Sequence, residues 1–311
     1  MSEAAGLRGA SARGQSIGER FRRSWLGPRQ PYWGVLLVVP ILIFFLIFKF
    51  WPLLQAIRLS LYDADPLKKV ETFLGARNFL DLASDPLFLR SVVTTTTYVV
   101  GTVVPIMVLS LVLALLLHTG LRGTPLFRTL IFLPVIVPII IVPILWRFLF
   151  HPYGLVNEGL GLFGIAGPNW LSDSDIVVGA LIIPTDWRFI PLYALIYLAG
   201  LQSIAEDYYD AAKVDGASVI NRFRWITLPL LKPTTVVVLI ASVTFTAKSI
   251  VLPLVMTEGG PNNASTTLSL FIYQNGFAFF NLGYASAASV VLLIVVVTFT
   301  IATLRLFRTD D

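Results

Sequence analysis

Glu206–Pro229 reads EDYYDAAKVDGASVINRFRWITLP, a charged stretch set between two long apolar runs. Its neighbours belong in an apolar medium, so this stretch has to emerge from whatever buries them. Ala211, Ala212 and Val214 offer small apolar contact points, while Asp210, Lys213 and Asp215 keep the surrounding surface wet. Gly216 interrupts the helical pattern, because a residue without a Cβ takes backbone angles that others resist. A second short amphipathic turn runs through Phe223, Trp225 and Ile226, and Pro229 ends it. The expected shape is helix, glycine, helix: a knuckle projecting from a membrane domain and suited to docking.

Outward from the knuckle the composition is that of a chain that dissolves in lipid. Hydrophobic residues make up 56% and charged residues 13%, with a mean hydropathy of +0.79, far from a soluble average. The formal net charge of +5 is small and is distributed by side of the membrane instead of gathered into a patch, which argues against a nucleic-acid partner. With no cysteine in the chain, disulfides, Cys-ligated zinc and thiol catalysis are excluded. His118 and His151 sit at the ends of apolar runs and make poor metal or catalytic groups. No catalytic residue and no metal ligand is expected.

Apolar runs long enough to cross ~30 Å of hydrocarbon, at about 20 residues each, fall at Trp33–Leu54, Val92–Leu117, Leu126–Phe150, Ile176–Leu201, Thr234–Met256 and Tyr284–Leu306. They are too long and too uniformly apolar for barrel strands, so the expected fold is all-α, a polytopic bundle of about six transmembrane helices. Orientation follows from the basic residues. The N-terminal tail (1–30) is rich in Arg, Arg122 and Arg128 follow the second span, Lys213, Arg222, Arg224 and Lys232 follow the fourth, and Arg305 and Arg308 close the chain. The loops His151–Asp175 and Thr257–Gly283 carry neither Lys nor Arg. By the positive-inside rule both termini and the knuckle are cytoplasmic; only Gln55–Ser91, with Arg58, Lys68, Lys69, Arg77 and Arg90, dissents. The division expected is a cytoplasmic basic tail, 1–30, and a transmembrane domain, 31–311, with its cytoplasmic loop at 203–229.

Inside the spans, Thr94–Thr97 can bond back to their own helix and are cheap in lipid. Pro134, Pro138 and Pro143 should kink or loosen the third span. Asp186, Trp187 and Arg188 lie well inside the fourth, where an ionisable group costs several kcal/mol unless it pairs or faces water; pairing within the bundle and lining of a pathway both account for them. The fifth span shows Ser242, Thr246 and Ser249 at i, i+4 and i+7, one polar stripe with Lys248 at its edge. Stripes of hydroxyls line pathways and also join helices.

The order Asp210-Ala-Ala, three residues, Gly216, nine residues, Ile226-x-Leu228-Pro229 resembles the EAA loop of permease subunits in binding-protein-dependent ABC importers. Asp215-Gly216-Ala217 and Ile226-Thr-Leu-Pro-Leu-Leu-Lys-Pro233 resemble the carbohydrate branch of that family, and Phe73–Phe79, Arg128–Trp146 and Gly259-Gly260-Pro261 resemble the importer family at large. The family's usual Glu is Asp210 here, which moves the charge inward by one methylene. The resemblance implies a type I importer permease fold in the cell membrane, with Asp210, Ala211, Ala212, Asp215, Gly216, Ala217, Ile226, Leu228 and Pro229 coupling it to an ATPase. It also places the sugar-contacting positions of maltose-type permeases on Phe189, Leu192, Ser242, Thr246 and Ser249, beside Trp187, Arg188 and Lys248; amides are usual where this chain has Thr246 and Ser249. Its implied partners are a second permease subunit, two copies of an ABC ATPase and an extracytoplasmic binding protein that delivers a di- or oligosaccharide. No phosphate-binding G-x-x-x-x-G-K-[ST] sequence occurs, so the chain needs no cofactor of its own, ATP and Mg belonging to the partner ATPases. Uptake of a glycerol phosphate or polyol, and an ion-coupled secondary transporter using Asp186, Arg188 and Lys248, remain as alternatives.

Overall fold

A computed structural model describes residues 30–66, 70–118 and 124–307. Residues 1–29 of the basic tail, with Lys68, Lys69, Arg122 and Arg308, lie outside the described residues. The chain divides into two units, one up to Gln55 and one from Ala56 onward. In the first, α1 (Gln30–Phe45) is followed by a π-helical turn, Leu46–Phe50, and by α2 (Trp51–Leu59), which reaches the boundary. The side chains from Val35 to Leu54 are exposed all round, as suits a helix whose every face meets an apolar medium.

The second unit opens with a feature that the all-α expectation lacks, a small antiparallel hairpin of β1 (Tyr62–Asp65) and β2 (Val70–Phe73), with Tyr62 paired to Phe73. It is followed by α3 (Arg77–Ser84). Asn78, buried on α3, donates to the carbonyls of Ser60 (2.9 Å) and Tyr62 (3.0 Å) and so ties the helix to the hairpin. Arg58 pairs with Glu71 and Arg77 lies 3.8 Å from Asp81; two of the basic residues that dissent from the charge rule are neutralised locally.

The long helices then follow. They are α4 (Pro86–His118), the short α5 (Thr124–Ile136) and α6 (Ile141–Leu149), the two-turn α7 (Leu155–Gly161), and α8 (Val177–Gln202). Asp85 starts α4: its Oδ1 accepts from the Leu87 amide at 2.8 Å, and Pro86 stands where a missing N–H costs nothing. At 33 residues α4 is about 50 Å long, six residues longer at its start than the apolar run implied. It forms with α8 the most extensive helix pair among the described residues. Gly101 permits the approach, since a Cβ there would run into the Ile182 side chain. Their shared core, with Ile106, Ala114, Tyr193, Tyr197, Leu201 and Leu231, is buried.

Among the described residues five helices are long and apolar enough to cross a membrane, and the third expected span is a broken pair instead, with Thr129–Ile136 and Ile141–Leu149 bent by 112°. The kink expected from the prolines is a full break. The fifth expected span is also interrupted. α12 (Lys232–Ala247) stops, and after Lys248–Ile250 the chain resumes as α13 (Val251–Met256). Last come α14 (Leu268–Tyr273), a π-helical turn at Gln274–Ala278, and α15 (Leu282–Leu306). Thr94 and Thr95 do more than bond within their helix: Thr94 donates to the Ala264 carbonyl (3.2 Å), and Thr95 accepts from the Leu268 amide (2.7 Å). They pin the loop before α14 onto α4.

Candidate functional site

The knuckle has the helix, glycine, helix shape read from its sequence. α9 (Glu206–Val214) has Glu206 and Asp207 in its first turn and Lys213 in its last, as the helix dipole favours. It ends on Gly216, whose φ of 75° is left-handed. There the Gly216 amide bonds the Lys213 carbonyl at 3.1 Å and the Ala217 amide reaches back to the Ala212 carbonyl at 2.8 Å. This paired closure is the Schellman arrangement. Ser218 then caps α10 (Val219–Arg222), its hydroxyl accepting from the Asn221 amide at 3.3 Å. A π-helical turn, Phe223–Thr227, and α11 (Leu228–Leu230) lead into α12.

The two arms are joined beneath the surface. Thr227 is buried, and its hydroxyl lies 3.0 Å from the Tyr209 phenol and 3.5 Å from the Arg222 carbonyl; since Thr227 donates to the carbonyl, Tyr209 is the donor between them. Outward, Val214, Val219, Ile220 and Trp225 are 70–88% exposed, an apolar face that water alone does not favour. Asp210 is held by Lys213 at 2.7 Å, both well exposed. Ala211, Asp215, Leu228 and Pro229 are also exposed, and Ala212, Ala217 and Ile226 are half-buried. The sequence reading did not single out Tyr209, Thr227 and Ser218; the serine could have been found from its place one residue before a new helical run.

The mid-membrane residues are placed less uniformly. Phe189 on α8 is buried against Phe245 of α12, ring centroids 4.4 Å apart, so these two helices do meet at the expected level. Trp187 is half-buried with its ring 5.8 Å from that of Trp146, edge to face. Leu192 packs against the α4–α8 core. Ser242 and Thr246 are buried on α12, and Ser242 donates to its own Leu239 carbonyl at 3.1 Å. The expected stripe is not continuous, because α12 has ended before Ser249. That residue sits on the break, its amide bonding the Thr246 carbonyl at 3.0 Å and its side chain near Tyr98. Tyr98 in turn donates to Thr185 at 2.6 Å, the Thr185 hydroxyl being committed to the Leu181 carbonyl at 2.8 Å.

Arg188 and Asp186 part company. Arg188 donates through one terminal nitrogen to the carbonyls of Val137 and Pro134, the latter at 3.4 Å. Those carbonyls belong to the break between α5 and α6. Pro138 has no N–H to offer the Pro134 carbonyl four residues before it, and the guanidinium takes its place. Asp186 finds no such use: its Oδ1 is buried without a hydrogen-bond partner, as are Thr102 Oγ1, Trp146 Nε1 and Arg188 Nε. Lys248, exposed at the break after α12, is in no ion pair with a described residue. No group of three or more metal-binding side chains occurs among the described residues.

The sequence matches the family described as binding-protein-dependent transport system inner membrane component over residues 88–308. The trehalose/maltose transport system permease protein of Thermococcus litoralis is 34% identical over 288 residues, covering 91% of this chain and 96% of that one. The sn-glycerol-3-phosphate transport system permease protein of Pectobacterium atrosepticum is 35% identical over 288 residues, covering 92% and 95%. In fold the chain is similar to a bacterial alginate ABC transporter crystallised with an alginate pentasaccharide-bound periplasmic protein, with a TM-score of 0.77 at 23% identity over 94% of this chain and 97% of that one.

Proposed function

Because the chain belongs to the family of binding-protein-dependent transport system inner membrane components, and is thus a multi-pass ABC importer permease, we propose that it moves a carbohydrate, a di- or oligosaccharide, into the cell. A soluble extracytoplasmic binding protein delivers the sugar. A second, different permease subunit completes the pathway, and two ABC ATPase subunits, which hold ATP and Mg, drive it. Both termini and the knuckle face the cytoplasm, a reading supported by the asymmetry of basic residues.

The observation that carries this reading is the knuckle: a glycine-terminated helix pair with an exposed apolar face, joined internally by Tyr209 and Thr227. It has the form needed to receive a rigid-body push from an ATPase and pass it through Leu231 into the α4–α8 core. Asp210, Ala211, Ala212, Asp215, Gly216, Ala217, Ile226, Leu228 and Pro229 form the coupling surface. Cargo passes between α8 and the break after α12, meeting Trp187, Phe189, Leu192, Ser242, Thr246, Lys248 and Ser249, while Arg188 holds the pathway wall. Family membership sets aside the self-contained ion-coupled transporter.

A second reading has its own observation. Lys248, cationic and without an ion pair among the described residues, would suit an anionic cargo such as a glycerol phosphate, and a relative transports sn-glycerol-3-phosphate. The deciding experiment reconstitutes the permease pair with its ATPases and binding protein in vesicles and measures cargo-stimulated ATP hydrolysis. Stimulation by maltose or trehalose supports the carbohydrate reading; stimulation by glycerol 3-phosphate alone refutes it.

A further inference from the structure

A cavity of about 500 Å³ lies at the end of the bundle away from the knuckle, bounded by the end of α6, the loop before α8 and the end of α13. The helices fix that placement: α8 runs from this end toward the knuckle, and α12 with α13 runs back from it. Its volume is that of a small-ligand site. Two aromatic rings form one wall, Trp170 stacked on the buried Phe150 with centroids 5.0 Å apart and planes at 25°. Trp170 is further fixed by its indole N–H, which donates to Asn157 Oδ1 at 2.7 Å. Around the rings stand Arg147, Asn169, Ser172 and Glu258. Arg147 and Glu258 are exposed, and neither is ion-paired with a described residue.

This combination fits one chemistry well. A pyranose ring has an apolar C–H face, which an aromatic side chain covers, and an equator of hydroxyls that each donate and accept. A guanidinium only donates, a carboxylate only accepts, and an amide does both. A purely anionic ligand would meet Glu258, and a cation would meet Arg147. The ring wall also continues inward: Phe150 lies 5.0 Å from Trp146, and Trp146 lies 5.8 Å from Trp187. The cavity and the mid-membrane face of α8 therefore share one packed aromatic wall. We infer that this outer cavity is a receiving site for one saccharide ring, occupied before the cargo enters the membrane pathway. The inference rests on the carbohydrate reading of the cargo and adds a site distinct from the mid-membrane positions.

The test uses the complete transporter in lipid nanodiscs without its binding protein, probed by saturation-transfer NMR with maltose, trehalose and methyl α-glucoside. At least one of these sugars should bind, Trp170→Ala and Glu258→Gln should each weaken it about three- to tenfold, the size of one lost ring or hydrogen-bond contact, and Trp170→Phe should retain most of it. Glu258→Gln changes an exposed side chain and guards against misfolding of the tryptophan variant. Absence of binding by all three sugars overturns the inference, as does binding that neither variant changes. If the variants instead weaken only capture of the binding protein, the cavity is a protein socket and the inference is again overturned. Sugar transport by the full system is measured in parallel: transport without cavity binding leaves the carbohydrate reading standing and removes only this site, whereas a binding protein that carries no saccharide refutes the carbohydrate reading itself.

Discussion

Replacing Arg188 by alanine tests whether this mid-membrane charge serves the cargo or the fold. Its guanidinium supplies donors to the Pro134 and Val137 carbonyls at the α5–α6 break. A buried carbonyl left without a donor costs about 1–3 kcal/mol, so losing both should destabilise the permease by about 2–6 kcal/mol, with Arg188→Lys intermediate because the ammonium keeps several donors on one nitrogen but sits on a different, shorter stem. Pro138→Ala makes the reasoning sharper. It supplies the N–H that the Pro134 carbonyl lacks, so in that background Arg188→Ala should cost about 1–3 kcal/mol less. Denaturant titration of the reconstituted subunit, with the four members of the cycle compared, measures this coupling. Arg188→Ala with unchanged stability and weakened cargo binding would return Arg188 to the pathway and refute its role as a cap.

Gly216→Val forces a β-branched residue to a φ of 75°, at a cost of at least about 1–2 kcal/mol, and should abolish cargo-stimulated ATP hydrolysis while the isolated permease still inserts; full stimulation counts against the knuckle as coupling element. Thr227→Val removes the bond from Tyr209 and should uncouple the two arms by about 1 kcal/mol, read as faster amide exchange across α9. With no native cysteine, Ala217→Cys reports sidedness directly, and labelling by an impermeant maleimide from the extracytoplasmic side alone would contradict the proposed orientation. Ser242, Thr246 and Ser249 changed together to alanine should weaken cargo affinity by roughly tenfold, about 1.4 kcal/mol; a variant that assembles and transports with unaltered affinity removes the three hydroxyls from the pathway.

Much of this fold was legible because long apolar runs leave few choices. The fourth expected span, Ile176–Leu201, differs from α8 by one residue at each end, and the knuckle's stop at Gly216 needed only a glycine in a helical pattern. The two breaks were harder, and for a shared reason. Pro143 stands third in α6 and Pro253 third in α13, inside a first turn where a missing N–H is not felt. Each proline thus marks the start of a new helix, a reading that uniform apolar composition conceals. Proline by itself does not settle the matter, since α8 runs unbroken through Pro184 and Pro191. The partner decides: Arg188 is two helices away in sequence and reaches the α5–α6 break only once the chain has folded. The hairpin was missed because its strands are four residues each, too short for alternation to register.

The same accounting bears on which polar groups can meet a cargo. Many of the hydroxyls in the spans have given their single proton to a nearby carbonyl: Thr95 to Ser91 at 2.7 Å, Thr185 to Leu181 at 2.8 Å, Ser242 to Leu239 at 3.1 Å. Such a hydroxyl still accepts, but it can no longer donate. A sugar hydroxyl approaching Ser242 must therefore be the donor, and its own oxygen must find a donor elsewhere. Lys248 at the break and Trp146 Nε1 are donors without a hydrogen-bonded or ion-paired partner among the described residues, and Asp186 Oδ1 is an acceptor in the same position. If the cargo passes along α12 as proposed, its selection turns on these few uncommitted groups more than on the number of hydroxyls there. Lys248→Met should accordingly change the choice of cargo more than Ser242→Ala, and equal effects of the two in a competition transport assay would show that the intrahelical bond of Ser242 gives way when cargo arrives.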